Sequence, residues 1–210
     1  LYGKTVFEMP HIRTAIAVAF ARLSAMKLYA YRALDYLQIA CDDDRRYLLF
    51  NAVQKARVST EGVKVMGLLS ECIGAKGFEA ETYFESALRD AMLIPGLEGS
   101  THINYGLIAQ FMDNYFCGSD HDLPKANSVG LHNADADENP YWFEGRDRNA
   151  RTVKFASCMQ GYEQLSSMPN VAIFQAQVEE FRRFAADGVS ILNPTGDVGL
   201  AIAIGRCVAA

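Results

Sequence analysis

Apolar side chains recur every three or four residues along most of the first 73 residues, and this repeat restricts the chain to helical architectures. The first stretch begins at Pro10, which suits the first turn of a helix, and ends before Asp42-Asp43-Asp44. These acids are expected to supply the N-cap and the first-turn charges of the next helix. The repeat positions are Ile12, Ile16, Phe20, Leu23, Leu34 and Leu37, then Leu49, Val53, Ala56, Val63, Met66, Leu69 and Ile73.

Two further helices are predicted before residue 117. The third covers about residues 81–94 and stops before Pro95. The fourth carries Ile103, Leu107, Phe111 and Met112 at helical spacing. Four amphipathic helices with short connections favour an all-α fold, and we expect an antiparallel four-helix bundle over residues 1–117.

Residues 118–210 differ in character and are expected to form a linker and an accessory helical extension. The linker is rich in Gly, Asp, Asn and Ser and lacks a helical period. We interpret Tyr141-Trp142-Phe143 as an aromatic anchor that pins the linker to the bundle. Helices are predicted from Pro169 to just before Gly188 and from about Asp197 onwards.

The helix that starts at Pro169 carries a stripe of phenylalanines that needs cover, either from this chain or from a partner. The stripe consists of Phe174, Phe181 and Phe184. We therefore expect the extension to pack against the bundle and to serve oligomer or partner contacts, and we expect the chemistry to lie elsewhere.

Composition excludes several classes of function. The 210 residues carry a formal net charge of −5, which argues against the basic face that nucleic-acid binding needs. The five cysteines are scattered and odd in number, which is typical of reduced thiols rather than a disulfide framework. No apolar run reaches the roughly 18 residues of a membrane span.

Glu98 follows a Pro95-Gly96 break and precedes Gly99, so its carboxylate is predicted to stand on a bend between two helices. Ser100 or Thr101 can cap the helix that follows. The N–H groups of that helix start suit an oxyanion or a phosphate. Taken alone, this spacing is also typical of an ordinary helix–helix connection.

The surrounding residues make the pattern more specific. The run from Ser70 to Asn104 resembles the C-terminal signature of the acyl-CoA dehydrogenase family, in which Gln-x-x-Gly-Gly-x-Gly-Phe leads to Arg-Asp and then to Glu-Gly-Thr. The matching residues are Gly74, Gly77, Phe78, Arg89, Asp90, Glu98 and Gly99, with no gap between them, and Tyr2-Gly3-Lys4 is similar to the start of the family domain. The resemblance covers about residues 2–116.

Four positions depart from the family pattern. Glu71 stands where the family usually has Gln, and Ala75 replaces its second Gly. Pro10 stands where a flavin-contacting Gln is common, and Ser100 replaces Thr while keeping a hydroxyl. Because Glu71 would put a negative charge near the flavin pyrophosphate, the departure there bears directly on cofactor binding.

The resemblance implies α,β-dehydrogenation of an acyl-CoA thioester by an FAD-dependent enzyme, with Glu98 as the base that takes the α-proton. It implies cofactor contacts from Gly74, Gly77, Gly99, Ser100, Glu71 and His102, and in family dimers Gly74 and Gly77 would approach the cofactor of the neighbouring subunit. His102 lies four residues after Glu98, so the two side chains could share a helix face. We interpret Arg89-Asp90 as a buried pair, a helix-end hydrogen bond or a cofactor-adjacent pair.

The resemblance also implies partners and a cellular setting. The expected partners are the acyl-CoA substrate and an acceptor such as an electron-transfer flavoprotein, with a homodimer or homotetramer as the assembly. The expected compartment is the bacterial cytoplasm or the mitochondrial matrix, with the cytoplasm favoured. Because the chain begins where the resemblance is already under way, we interpret it as a fragment that is inactive on its own.

Two alternatives remain open from the residues. An acyl-CoA oxidase-like enzyme would share the first half-reaction but pass electrons to oxygen. A non-catalytic helical scaffold would have kept the fold alone, and the changes at Glu71, Ala75 and Pro10 favour that interpretation.

No metal site is expected. Glu8-x-x-His11 imitates the Glu-x-x-His pair of di-iron bundles, but those sites need a second pair and two more glutamates. His121 and His132 lie in the acidic linker, where solvated side chains are the simpler interpretation.

Overall fold

All regular structure in the described part of the chain is helical. The computed structural model describes residues 3–118, 120–124, 126, 139–143, 148–187 and 198–210. Its α-helices are α1 (Pro10–Gln38), α2 (Tyr47–Ile73), α3 (Tyr83–Leu93), α4 (Thr101–Ala109), α5 (Met112–Cys117), α6 (Gln160–Glu163), α7 (Pro169–Asp187) and α8 (Val198–Ala209). The predicted all-α class is confirmed. Most of the linker, Tyr2, His132, Gly188 and Asp197 lie outside the described residues.

The connection between α1 and α2 differs from its prediction. The first turn of α2 contains no acidic residue. Asp44 instead accepts hydrogen bonds from the backbone N–H of Arg46 at 3.3 Å and from its guanidinium at 2.6 Å, and both residues are buried. The prediction that Asp42-Asp43-Asp44 supplies first-turn acids to α2 is therefore wrong, because Asp44 neutralises a buried arginine ahead of the helix.

The chain forms two compact units, and segments of α1 and α2 contribute to both. Unit 1 comprises Leu1–Tyr31 and Gln54–Thr101, and unit 2 comprises Arg32–Val53 and His102–Ala210. Unit 1 thus combines parts of the two long helices with α3, whereas unit 2 combines the other parts with α4 and the later helices.

The core of unit 1 joins α1 to α2. Ala19 and Met26 of α1 pack against Val65 of α2. Glu61 of α2 is buried nearby, only 4% exposed, and it accepts a hydrogen bond from Arg22 of α1. An apolar contact and an ion pair therefore hold the same two antiparallel segments together.

The core of unit 2 contains an unpredicted break in the fourth helix. The chain forms α4 and α5 instead of one helix through Met112. At the break the backbone N–H groups of Gln110 and Phe111 bond to carbonyls three residues earlier, which tightens the turn and ends α4. Phe111, Met112 and Ile108 are the largest fully buried side chains of the described residues, so the break lies within the core of unit 2.

The predicted aromatic anchor is formed by two of its three residues. Trp142 donates its indole N–H to the carbonyl of Leu37 at 2.8 Å, and Tyr141 is buried with its ring edge-to-face on Tyr47. Phe143 is 75% exposed and takes no part. The anchor holds the end of the linker against the C-terminal end of α1, as predicted.

The C-terminal helices pack on α4 and α5. The ring of Phe181 in α7 lies edge-to-face against Phe116 of α5, with centroids 5.0 Å apart, and Arg182 donates to the Phe116 carbonyl at 3.1 Å. Gly205 of α8 lies so close to the backbone of Tyr105 that a Cβ at this position would overlap the Tyr105 carbonyl. The expectation that the extension packs against the earlier helices is confirmed.

Candidate active site

Glu98 lies on a strained bend, as the sequence predicted. It is the one non-glycine residue with positive φ among the described residues, at 47°, and Gly99 follows at 99°. A side chain at such a φ costs about 1–2 kcal/mol. The Glu98 side chain is exposed, and in the described part of the chain it has no hydrogen-bond or ion-pair partner. Local contacts of the carboxylate therefore do not account for the strain, and strain of this kind clusters at functional sites.

Elements on both sides hold the bend. Pro95 lies in the 3₁₀ turn Ile94–Gly96 that follows α3, and this turn closes through a hydrogen bond from the Leu97 N–H to the Ile94 carbonyl at 3.2 Å. Lys55 of α2 donates its ammonium group to the same Ile94 carbonyl. The turn before Glu98 is thus tied to a helix 39 residues away in sequence, and the local pattern around Lys55 contains no signal of that contact.

Three exposed apolar side chains precede Glu98 in the chain. Leu93, Ile94 and Leu97 are 58%, 47% and 46% exposed. Single exposed apolar residues are common on protein surfaces, whereas contiguous apolar patches mark binding sites.

Glu71, near the end of α2, and the Gly74–Phe78 turn that follows the helix contain residues that were predicted to contact a cofactor. Glu71 is exposed. Gly74 has a φ of 67° and open space at its Cβ position, so glycine is required there by the backbone alone. Gly77 is buried, and a Cβ there would lie 3.0 Å from the ring of Phe84 and 3.2 Å from Ile73. The packing of α3 on this turn is therefore enough to explain Gly77, without a cofactor.

The two predicted groups of site residues lie at opposite ends of α3. The Gly74–Phe78 turn packs at its start and the Ile94–Gly96 turn at its end. The 11 residues of α3 span about 16 Å at 1.5 Å per residue. Within one chain the structure therefore does not bring Gly74 and Glu98 together at a single reacting atom.

Two further residues that were predicted to contact the cofactor, His102 and Ser100, lie at the start of α4. His102 is exposed in the first turn of α4, but Glu98 precedes that helix and is not helical, so the shared helix face predicted for the pair is wrong. Ser100 directly precedes α4, at the position of a cap.

Arg89 is exposed and pairs with Glu85 at 3.0 Å instead of with Asp90, so the buried-pair interpretation of Arg89-Asp90 is also wrong.

The Glu8-x-x-His11 pattern has a local structural role. Glu8 accepts hydrogen bonds from the backbone N–H and the hydroxyl of Thr5, at 2.6 and 2.8 Å, and so caps its own 3₁₀ turn. These bonds hold the pKa of the Glu8 carboxyl below its ordinary value.

None of the helices in the described ranges is long and apolar enough to cross a membrane.

One of the three comparisons with known proteins found a match. The model of the acyl-CoA dehydrogenase C-terminal domain family matches residues 1–112, slightly more than half of the 210 residues. Searches of curated proteins and of solved structures returned no match. The matched region contains the Gly74 turn, α3 and the Glu98 bend. The chain therefore belongs to the acyl-CoA dehydrogenase family, whose C-terminal domain it carries at residues 1–112.

Proposed function

We propose that this chain is the C-terminal part of an FAD-dependent enzyme that dehydrogenates an acyl-CoA thioester between its α and β carbons, with Glu98 as the base. The observation that carries the proposal is the exposed Glu98 carboxylate on a left-handed bend, with no partner among the described residues. A carboxylate that satisfies no protein donor is available to accept a proton from a bound substrate. The exposed Leu93, Ile94 and Leu97, which precede Glu98 in the chain, would provide apolar surface for an acyl chain.

The roles follow from the chemistry of the α-proton. This proton is a weak acid, so its removal requires a positioned base together with stabilisation of the charge that develops on the thioester oxygen. Glu98 would take the proton, and the strained bend would hold its carboxylate in one place. Lys55 would position the bend through the Ile94 carbonyl.

The residues at the bend fit a bound flavin. Gly99, at a φ of 99°, leaves the backbone without a side chain, and Ser100 offers a hydroxyl just before the N–H groups of α4. When bound, FAD supplies the acceptor for the hydride that leaves the β carbon. Ser100 and Gly99 would hold its ring system near Glu98.

The turn after α2 fits the cofactor less well. Glu71 presents an exposed carboxylate where a phosphate would need donors, and Gly77 is accounted for by Phe84. Gly74 alone has an open Cβ position there. If this turn contacts flavin, its distance from Glu98 along α3 favours the flavin of a neighbouring subunit, and we include a homo-oligomer and an electron-accepting partner in the proposal.

The test is Glu98→Gln in the intact protein. The amide keeps the size and polarity of the side chain but cannot accept the α-proton, so turnover should fall by about 10²–10⁴-fold. Flavin absorbance and acyl-CoA binding should remain. The matched control is Glu180→Gln, which makes the same change at an exposed position of α7 and should leave turnover unchanged. Wild-type turnover by Glu98→Gln would reject Glu98 as the base.

A second candidate function is a non-catalytic scaffold, and the Glu71 carboxylate and the packed Gly77 favour it. The visible spectrum of the purified intact protein separates the two. A stoichiometric flavin band supports the enzyme, and the absence of flavin after reconstitution with FAD supports the scaffold. Rapid reoxidation of the reduced flavin in air would distinguish an oxidase from a dehydrogenase.

A further inference from the structure

A cavity of about 310 Å³ lies within unit 2, among α5, α7, α8 and the segment around α6. None of its lining residues is among the residues discussed for the Glu98 bend. Aromatic and aliphatic side chains form most of its wall: Tyr115, Phe116, Phe174, Val178, Phe181 and Val208. Typical small-molecule sites occupy about 300–1,000 Å³ and are mainly apolar, so this cavity lies at the lower end of that range.

Ring-to-ring contacts hold the wall in place. Tyr115 and Phe181 both pack edge-to-face on Phe116, with centroid distances of 4.9 and 5.0 Å. Tyr162 and Phe174 form a further pair at 5.4 Å. Such pairs contribute about 0.5–1.5 kcal/mol beyond the area that they bury. The rings therefore brace one another around the space without filling it, and the open side lies by exposed Phe174 and Cys207.

The polar atoms of the wall are neutral. They are the phenols of Tyr115 and Tyr162, the thiols of Cys158 and Cys207, and the Gln177 amide. Burial raises the pKa of the Tyr115 and Tyr162 phenols and of the Cys158 thiol, so these groups stay protonated at neutral pH. No residue given for this wall, which consists of described residues, carries an acidic or basic side chain. Charged groups outside the wall, namely Arg182, Asp120 and Glu179, act on the Cys158 thiol. Because burying an unpaired charge among the neutral wall groups is costly, an ionised ligand is disfavoured.

We propose that this cavity is a binding site for a neutral, mainly apolar small molecule. A cavity of about 150 Å³ holds one benzene ring, so this one, at roughly twice that volume and open on one side, suits an aromatic molecule of two or three rings or an aliphatic molecule of similar size. The phenols and thiols would accept one hydroxyl or amine group on the ligand. The site is additional to the proposed dehydrogenation, and its occupancy does not depend on Glu98.

The first test measures binding of N-phenyl-1-naphthylamine, a neutral dye whose fluorescence rises in apolar surroundings, to the intact protein. Val178→Trp would fill the cavity from α7 and should weaken saturable binding by about tenfold or more. Ala176→Trp, at an exposed position of the same helix outside the wall, should leave it unchanged. 1-Anilinonaphthalene-8-sulfonate, which adds a negative charge to the same rings, should bind more weakly at this site. Equal dye binding by both tryptophan variants would overturn the proposal.

The second test uses the unaltered protein and measures how strongly the bound dye protects the cysteines of the cavity from modification. Cys158 and Cys207 line the cavity, whereas Cys41 is exposed in the connection between α1 and α2. With the naphthylamine at about ten times its Kd, maleimide modification of Cys158 and Cys207 should slow by about tenfold. The rate at Cys41, followed by peptide mass spectrometry in the same sample, should not change. Equal rates at Cys158 and Cys207 with and without dye would show that the dye binds elsewhere.

Discussion

At the scale of single residues, Glu98 combines exposure with an unusual backbone conformation. Its side chain has no partner among the described residues, and its φ of 47° is a conformation that glycine would adopt at lower cost. Backbone strain alone would favour glycine at this position. The proposed base would give the glutamate a role that offsets this strain.

This interpretation predicts opposite effects of Glu98→Gly on stability and on turnover. The change relieves about 1–2 kcal/mol of backbone strain but adds about 0.5–1 kcal/mol of unfolded-state entropy. The free energy of unfolding, measured with urea, should therefore be unchanged or higher by up to about 1.5 kcal/mol. Turnover should be lost. Glu79→Gly is the control, because Glu79 is exposed at a φ of −71° and should lose stability. Equal losses in both variants would argue against strain at Glu98.

At the scale of helices, close backbone approach decides how the C-terminal extension packs. α8 lies against α4 at Gly205, where a Cβ would overlap the Tyr105 carbonyl. Neither helix shows this contact in its own pattern, because the two residues are about 100 positions apart. The glycine therefore sets the distance between the helices.

Gly205→Ala is predicted to push α8 away from α4 and to lower the free energy of unfolding by about 1–3 kcal/mol, as overpacking does. The matched control is Gly106→Ala in α4, where nothing lies within 4 Å of the added Cβ. That change should be neutral or stabilise by about 0.5–1 kcal/mol, because alanine favours a helix over glycine. Urea unfolding of both variants checks the prediction, and equal effects would contradict the close approach.

At the scale of the whole molecule, the two long helices contribute to both compact units, and within unit 1 side chains of α1 contact side chains of α2. Glu61 is central to one such contact. Its buried carboxylate is bonded by Lys64 at 2.7 Å and by Arg22, and Arg57 lies at 3.4 Å. Burial raises the pKa of this carboxyl, but the hydrogen bonds and the nearby Arg57 outweigh it, and the pKa falls below its ordinary value of 4.5.

The sign of the pH effect follows from that direction. A carboxyl whose pKa is lower in the folded state stabilises the fold fully above its unfolded value, and this contribution is lost as pH falls through the folded value. Glu61→Gln should therefore cost about 1.5–3 kcal/mol at pH 7, the range for hydrogen bonds to a charged group. The difference from wild type should shrink below the ordinary value of 4.5.

Urea unfolding at several pH values measures this effect. The control, Glu163→Gln, alters an exposed carboxylate of α6 and should follow the wild-type pH profile. A constant difference between wild type and Glu61→Gln across the acidic range would contradict the assigned role.

The sequence by itself determined where most helices lie and where the candidate base stands. The helical period is a relation between residues three or four positions apart, so α1, α2, α3 and α7 were predicted to within a few residues. The bend at Glu98 was predictable for the same local reason, since Pro95, Gly96 and Gly99 act on the backbone nearby. The spaced residues from Gly74 to Gly99 were enough to indicate the family.

Only the tertiary structure decided which residues meet. Gly77 packs against Phe84, and Lys55 donates a hydrogen bond to the Ile94 carbonyl. The predicted fourth helix is interrupted at Phe111, which is buried in the core. The tertiary structure also formed the partly open cavity among α5, α7 and α8. The physical reason is that such contacts depend on how whole helices are placed in three dimensions. The spacing of apolar residues along one helix indicates which face of that helix is apolar, but it does not indicate which other helix covers that face.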